Sequence, residues 1–295
     1  MGSFDNAHAI LGDVRQGLNE YSLELTNGSH THGKYTNQWL FSQCINRAQA
    51  RIHAALSRRL PGHFIKKVEI TGVNSVFALP WDFGALSELR NSDGIKVIQV
   101  DHRSEPSSGA EGSSSFYYRQ GNTLVTPKSG ISETWTLWYR TKPRDVHSGA
   151  CGAAGAGTTT FGTLAKGIAD YYNGMTVENV TLPHYAEVTG YTAAKVATVS
   201  GTFTESTHYY GLVSELPEPF HRLIAPLAVM IAKDTHPASQ ERTTRPEVEQ
   251  WADDLVEAIR AYTGQFDIAT EEIWTDFSPA PSGGVNIPGQ GYTIL

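Results

Sequence analysis

The chain has 295 residues, 40% hydrophobic and 18% charged, with 28 Gly, 14 Pro and two Cys. That is a globular composition, and the low charge beside plentiful Gly, Ser and Thr excludes a coiled coil or a disordered polymer as the main state. The net charge of −7 is local, because residues 241–276 hold ten acids and three arginines while residues 1–240 balance, so no segment suits a dedicated reader of nucleic-acid sequence.

The longest apolar run, Leu223 to Ala232, carries Pro226 and falls short of the roughly 20 residues a membrane span needs. The start, Met-Gly-Ser-Phe-Asp-Asn, has no basic region followed by an apolar core, which predicts a protein made and used in the cytosol. Cys44 and Cys151 are more than a hundred residues apart, so no disulfide framework is expected, and two thiols alone make no structural zinc site.

In chain order, Ile10, Leu11, Val14, Leu18, Tyr21 and Leu25 are spaced by three and four and predict an amphipathic helix within residues 5–25. After a polar loop, Thr36 or Asn37 can cap a second helix. There Leu40, Cys44, Ala48, Ile52, Leu56 and Leu60 recur every four residues until Pro61-Gly62 stops it.

From Phe64 to Arg140 the period becomes that of short strands, separated by the turn signals Val73-Asn74, Ser92-Asp93-Gly94, Gly121-Asn122 and Lys128-Ser129-Gly130. Ser104 to Ser115 reads as a loop, and Ser148 to Gly157, rich in Gly and Ala, as a linker. Residues 158–213 are again strand-like, with Asn173-Gly174 as a hairpin signal.

Leu216-Pro217-Glu218-Pro219 opens a helix with the face Phe220, Leu223, Ile224, Leu227 and Ile231. The last helix starts with a capping box, Thr244 and Glu247, and is expected to bury Val248, Trp251, Leu255, Ile259 and Tyr262 before Gly264. The tail Ser278 to Leu295 is uncharged and holds too little apolar surface to fold alone.

The expected fold class is therefore α+β: a helical bundle formed by the N- and C-terminal helices, a small antiparallel sheet region and an inserted β domain. The expected divisions are 1–150 (N-terminal helices plus small sheet), 151–213 (linker and inserted β module), 214–277 (C-terminal helices) and 278–295 (extended tail).

Motifs for chemistry are missing. No G-x-S-x-G elbow, H-E-x-x-H pair or C-x-x-C occurs, and the nearest phosphate-loop match, Gly157 to Gly162, is followed by Thr163 where Lys is required. His30 and His32 make half a metal site with no third ligand beside them. Asp253-Asp254 and Glu271-Glu272 are adjacent pairs, which diverge on a helix and do not give the spaced carboxylates that glycoside hydrolysis needs. The chain reads as a non-enzyme with no cofactor, no metal and no catalytic residues.

Arg47, Arg51 and Arg58, with Arg59, form a basic stripe beside the apolar face of the second helix. Such a stripe is a solvated face, or a surface that meets an acidic neighbour or a phosphate backbone.

Several segments, in order, resemble the head-to-tail connector, or adaptor, proteins of tailed bacteriophages. They are the N-terminal helix pair; Phe77-Ala78-Leu79-Pro80-Trp81-Asp82-Phe83; the run from Phe116-Tyr117-Tyr118 through Gly121-Asn122-Thr123-Leu124 to Pro127; Thr136 to Arg140; and Leu216-Pro217-Glu218-Pro219-Phe220-His221. The resemblance extends over residues 8–142 and 214–265. The insert at 158–213 departs from the compact family pattern, and is itself similar to a β module of phage virion proteins through Asp170 to Val177, Val188 to Tyr191, Lys195 to Val199 and Tyr209-Tyr210.

The resemblance implies a structural ring, commonly a dodecamer, in the neck of the virion between the portal protein and the tail-tube or nozzle protein. Double-stranded DNA passes through it unread, no membrane is involved, and assembly occurs in the host cytoplasm. It further implies a portal-docking tail anchored by Ile287, Tyr292, Ile294 and Leu295; in such a ring the basic stripe of Arg47, Arg51, Arg58 and Arg59 is a candidate for the contact between subunits or for the channel. The alternatives are a carbohydrate- or receptor-binding tail component, and a peptidoglycan hydrolase.

Overall fold

Asn6 starts the first helix by accepting the amide hydrogens of His8 and Ala9 at 2.8 and 3.0 Å on its side-chain oxygen. The computed structural model describes residues 6–20, 35–100, 116–127, 130–152, 157–200, 208–237, 239 and 241–263. Helix α1 (Ala7–Gly17) buries Ala7, Ile10, Leu11 and Val14. It stops at Leu18 because Asn19 takes a left-handed φ of 58°, earlier than the spacing predicted. Tyr21 and Leu25 lie outside the described residues.

Thr36 caps the second helical stretch, its hydroxyl accepting the Trp39 amide at 3.2 Å. One turn, α2 (Asn37–Trp39), passes through a π-helical segment (Leu40–Ile45) into α3 (Asn46–Arg59). A strict every-four apolar pattern drifts by about 40° per step in a regular α-helix. The wider π turn takes back part of that drift, so Leu40, Cys44, Ala48, Ile52 and Leu56 are all buried. A 3-10 turn (Pro61–Phe64) ends the stretch.

Seven strands follow: β1 (Ile65–Val73), β2 (Val76–Ala78), β3 (Phe83–Arg90), β4 (Ile98–Gln99), β5 (Phe116–Gln120), β6 (Thr123–Val125) and β7 (Thr134–Thr141). Their order is β3-β7-β1-β2-β6-β5-β4, antiparallel throughout except for the parallel pair β4 and β5. Asn74 and Ser75, both at positive φ, make the two-residue hairpin between β1 and β2. The sheet curls around its own core of Ile70, Phe77, Leu79, Phe83, Leu89, Tyr117, Leu124, Trp135, Leu137 and Tyr139. Phe77 stacks on Trp135 with ring centres 3.9 Å apart.

Six more strands, β8 (Ser148–Ala150), β9 (Thr158–Thr160), β10 (Thr176–Asn179), β11 (His184–Tyr191), β12 (Val196–Val199) and β13 (Tyr209–Leu212), form an antiparallel sheet in the order β8-β13-β10-β11-β12-β9. Asn173-Gly174 leads into β10, whose hairpin partner β11 is reached instead through residues 180–183. Two helices close the described chain, α4 (Ile224–Thr235) after a 3-10 turn (Glu218–Leu223), and α5 (Arg245–Thr263). The capping box forms, with Glu247 accepting the Thr244 amide at 2.7 Å.

The expected helical bundle with a small sheet is overturned. The protein is mostly β, with two large curled sheets, and the helices are not a separate bundle. The reason lies in what the apolar helix faces meet. Helix α1 packs on β8 and β13 as well as on α4. One continuous core runs from Ile10, Ile52, Ile224 and Leu255 into Phe161, Tyr172, Val188 and Tyr210 of the six-stranded sheet. Short strands of two to nine residues, each weak in the sequence, add up to more ordered structure than the long helical periodicities suggested.

Candidate assembly surface

Helix α3 turns its apolar face onto α4 and so presents the flank that carries the arginines. Arg47 and Arg58 are exposed, Arg51 and Arg59 half-buried. The four lie along one helix, and Arg51 is electrostatically coupled to Arg47. Burial lowers the Arg51 guanidinium's pKa, the like charge of Arg47 adds to that, and Asp234 of α4 opposes it. Below the stripe, burial pushes the Cys44 thiol up to about 12, with Arg47 acting in the opposite sense.

Three acids of α5 are engaged locally. Glu247 binds Lys233 of α4 at 2.9 Å, Glu249 binds Arg245 at 2.7 Å, and Asp254 accepts from Gln250 at 3.0 Å. His30, His32, Glu271, Glu272 and the four tail residues Ile287, Tyr292, Ile294 and Leu295 lie outside the described residues. Among the described residues, no group of three or more His, Cys, Asp or Glu side chains could hold a metal ion, and no helix is long and apolar enough to cross a membrane.

The aromatic-Pro-x-Asp-Phe motif has a structural task. Asp82 is buried and accepts the Tyr139 hydroxyl at 2.7 Å and Lys66 Nζ at 3.1 Å, tying the β2–β3 turn to the base of β1 and β7. The Leu-Pro motif has another: the Leu216 carbonyl accepts His221 Nε2 at 2.6 Å across the 3-10 turn that leads into α4.

A polar junction anchors the segment that follows β7 to α3 and to the loops of the six-stranded sheet, and no sequence motif marks it. Arg144, nine-tenths buried, extends its guanidinium to Glu215 and to the carbonyls of Tyr171 and Asn173. Its own carbonyl accepts Gln49 Nε2 at 2.6 Å, and Gln49 Oε1 accepts the Ser214 hydroxyl at 2.6 Å. Asn46 pairs in both directions with the Val146 backbone. A helix whose inner face carries Asn46 and Gln49 between apolar residues was the available signal, since buried amides need partners.

The arrangement aligns no nucleophile with a base and no spaced acid pair at these positions. It offers two packed cores and a cationic flank. A search of the curated proteins finds no match to the chain. A family model described as SU10 adaptor protein matches residues 6–151, from the cap of α1 through the whole seven-stranded sheet to β8, just under half of the chain. Over those residues the chain is similar to a family of phage structural proteins, and the match supports an adaptor or connector-type component of the virion.

Proposed function

We propose that this chain is an adaptor whose copies close into a ring, a dodecamer, between the portal protein and the tail-tube or nozzle protein in the virion neck. The match over residues 6–151 carries the reading, because it spans the helix pair and the seven-stranded sheet together rather than one motif. Double-stranded DNA passes through the ring during genome ejection, and its backbone charge calls for cations without base contacts. The α3 flank of Arg47, Arg51, Arg58 and Arg59 is the candidate for that wall or for the contact between subunits. Assembly takes place in the host cytoplasm, and residues 278–295 dock on the portal through Ile287, Tyr292, Ile294 and Leu295 as an extended segment.

The test is the copy number of this chain relative to portal in purified particles, by quantitative mass spectrometry. A one-to-one ratio supports the ring. A copy number well below one per portal subunit, such as that of a few trimeric fibres, or absence from the particle, removes it. Deleting residues 278–295 is expected to abolish portal binding and leave the fold intact, and undiminished binding would discard the docking assignment.

A further inference from the structure

The chain enters and leaves the seven-stranded sheet once. The strands within residues 65–141 form it, and the two crossings lie side by side, with Ile65 paired to Arg140 at the base of β1 and β7. The core of this sheet is separate from the core that the helices share with the six-stranded sheet. A domain with its own core on a two-strand neck can tilt unless side chains across the neck hold it.

The neck is anchored to different bodies within three residues. The Lys142 amide donates to the Asp82 carbonyl at 2.7 Å and so travels with the seven-stranded sheet. Arg144 is bonded to the other body, through Gln49 of α3, Glu215 and the Tyr171–Asn173 turn. Pro143 stands between them. On the other strand, Phe64 packs edge-on against His53 of α3 at 4.4 Å, and β1 begins at the next residue.

One aromatic ring bridges the two bodies. Trp81, on the β2–β3 turn that Asp82 secures, lies 5.2 Å from the Arg144 guanidinium and 4.8 Å from the Tyr171 ring. It is 36% exposed and belongs to neither core.

We propose that the seven-stranded domain swings about Pro143 and the Phe64–Ile65 link, and that Trp81 is the latch that fixes the arrangement described here. An aromatic-to-cation contact with a second ring beside it defines one closed geometry, and its partial exposure keeps it weak enough to open. Opening leaves both cores intact, so the two ends of the molecule can take different relative angles without unfolding.

The experiment measures the distance between the bodies in the full chain by pulsed electron spin resonance. Labels go on Val73→Cys, in the exposed β1–β2 hairpin, and Leu182→Cys, in the exposed turn before β11; the native Cys44 and Cys151 are buried. Trp81→Ala is expected to raise the ratio of the second distance population to the first roughly tenfold, and Trp81→Phe far less. A distribution unchanged by Trp81→Ala overturns the latch. So does faster hydrogen exchange within β7 or α4 in that variant, since Trp81 would then be supporting a core.

Discussion

The Tyr139 hydroxyl donates to Asp82 Oδ1 at 2.7 Å beneath the seven-stranded sheet, while Lys66 reaches the other carboxylate oxygen from the neighbouring strand. Burial first, and then the hydrogen bond and charge of Asp82, push the Tyr139 hydroxyl far above the ordinary tyrosine range, so it stays a donor at every physiological pH. Asp82→Ala leaves that buried hydroxyl without its acceptor and is expected to cost about 2–3 kcal/mol in urea unfolding. Tyr139→Phe keeps the Lys66 pair and should cost about 1–2 kcal/mol. The double variant should lose less than the sum of the two, because each single change breaks the same bond.

Gly72 is fixed by its neighbour rather than by its backbone angles. A Cβ there would stand 2.5 Å from the Phe77 ring, and Phe77 is itself stacked on Trp135. Moving the fully buried ring away from that Cβ would disturb the stack. Gly72→Ala is expected to destabilise the protein by about 1–3 kcal/mol, as overpacked cores do. Thermal unfolding checks it, and a wild-type midpoint would mean that the ring relocates freely.

Arg15 organises the passage from α1 to α2 from inside the protein. Its guanidinium bonds Glu20 at 2.7 Å, the Tyr35 carbonyl at 3.2 Å and the Asn37 side chain, with only 2% of its surface exposed. Burial lowers its pKa and Glu20 partly restores it. Arg15→Ala removes one member of a buried pair and is expected to cost about 3–5 kcal/mol. Hydrogen exchange at α1 and the start of α2 should accelerate before the rest of the chain does.

Local signals in the sequence were legible where one residue type has one physical job. Thr36 and the Thr244–Glu247 box cap the helices they were expected to cap, and the buried faces of α3 and α4 follow their spacing, whereas on α5 Trp251, Leu255 and Ile259 are buried but Val248 is half-buried and Tyr262 exposed. What the apolar faces meet was not legible. Ile10 and Ile52 read the same whether they pack on another helix or on the ring of Tyr210, and only the fold decides. Among the arginines the contrast is sharper. The stripe from Arg47 to Arg59 is visible as a spacing, whereas Arg144, which holds Glu215 seventy-one residues away, has no local pattern to announce it.

Titration separates two acid-sensitive contributions. Burial holds the His53 imidazole down at about 4, against an upward pull from Glu215, and burial with the Lys195 charge holds His147 at about 3. Both stay neutral in the fold while an unfolded histidine protonates near its ordinary value of 6.5. The unfolded chain therefore binds more protons below that pH, and the stability these groups contribute, complete above it, is lost as pH falls toward 4 and then 3. The Thr244 amide and then Lys233 depress Glu247 to about 2 from its ordinary value of 4.5, so its share persists above 4.5 and is lost only as pH falls from there toward 2. The urea midpoint should thus be flat above about pH 7, decline from about 6.5, and steepen below about 4.5. His53→Phe preserves an edge-on aromatic partner for Phe64 and removes an imidazole whose Nε2 has no hydrogen-bond partner among the described residues. That variant should lose up to one proton of slope between pH 6.5 and 4 while its slope below 4.5 from Glu247 is unchanged. An unaltered slope in the upper window would assign the acid sensitivity there to His147 and to His8, whose imidazole burial likewise holds below the ordinary range.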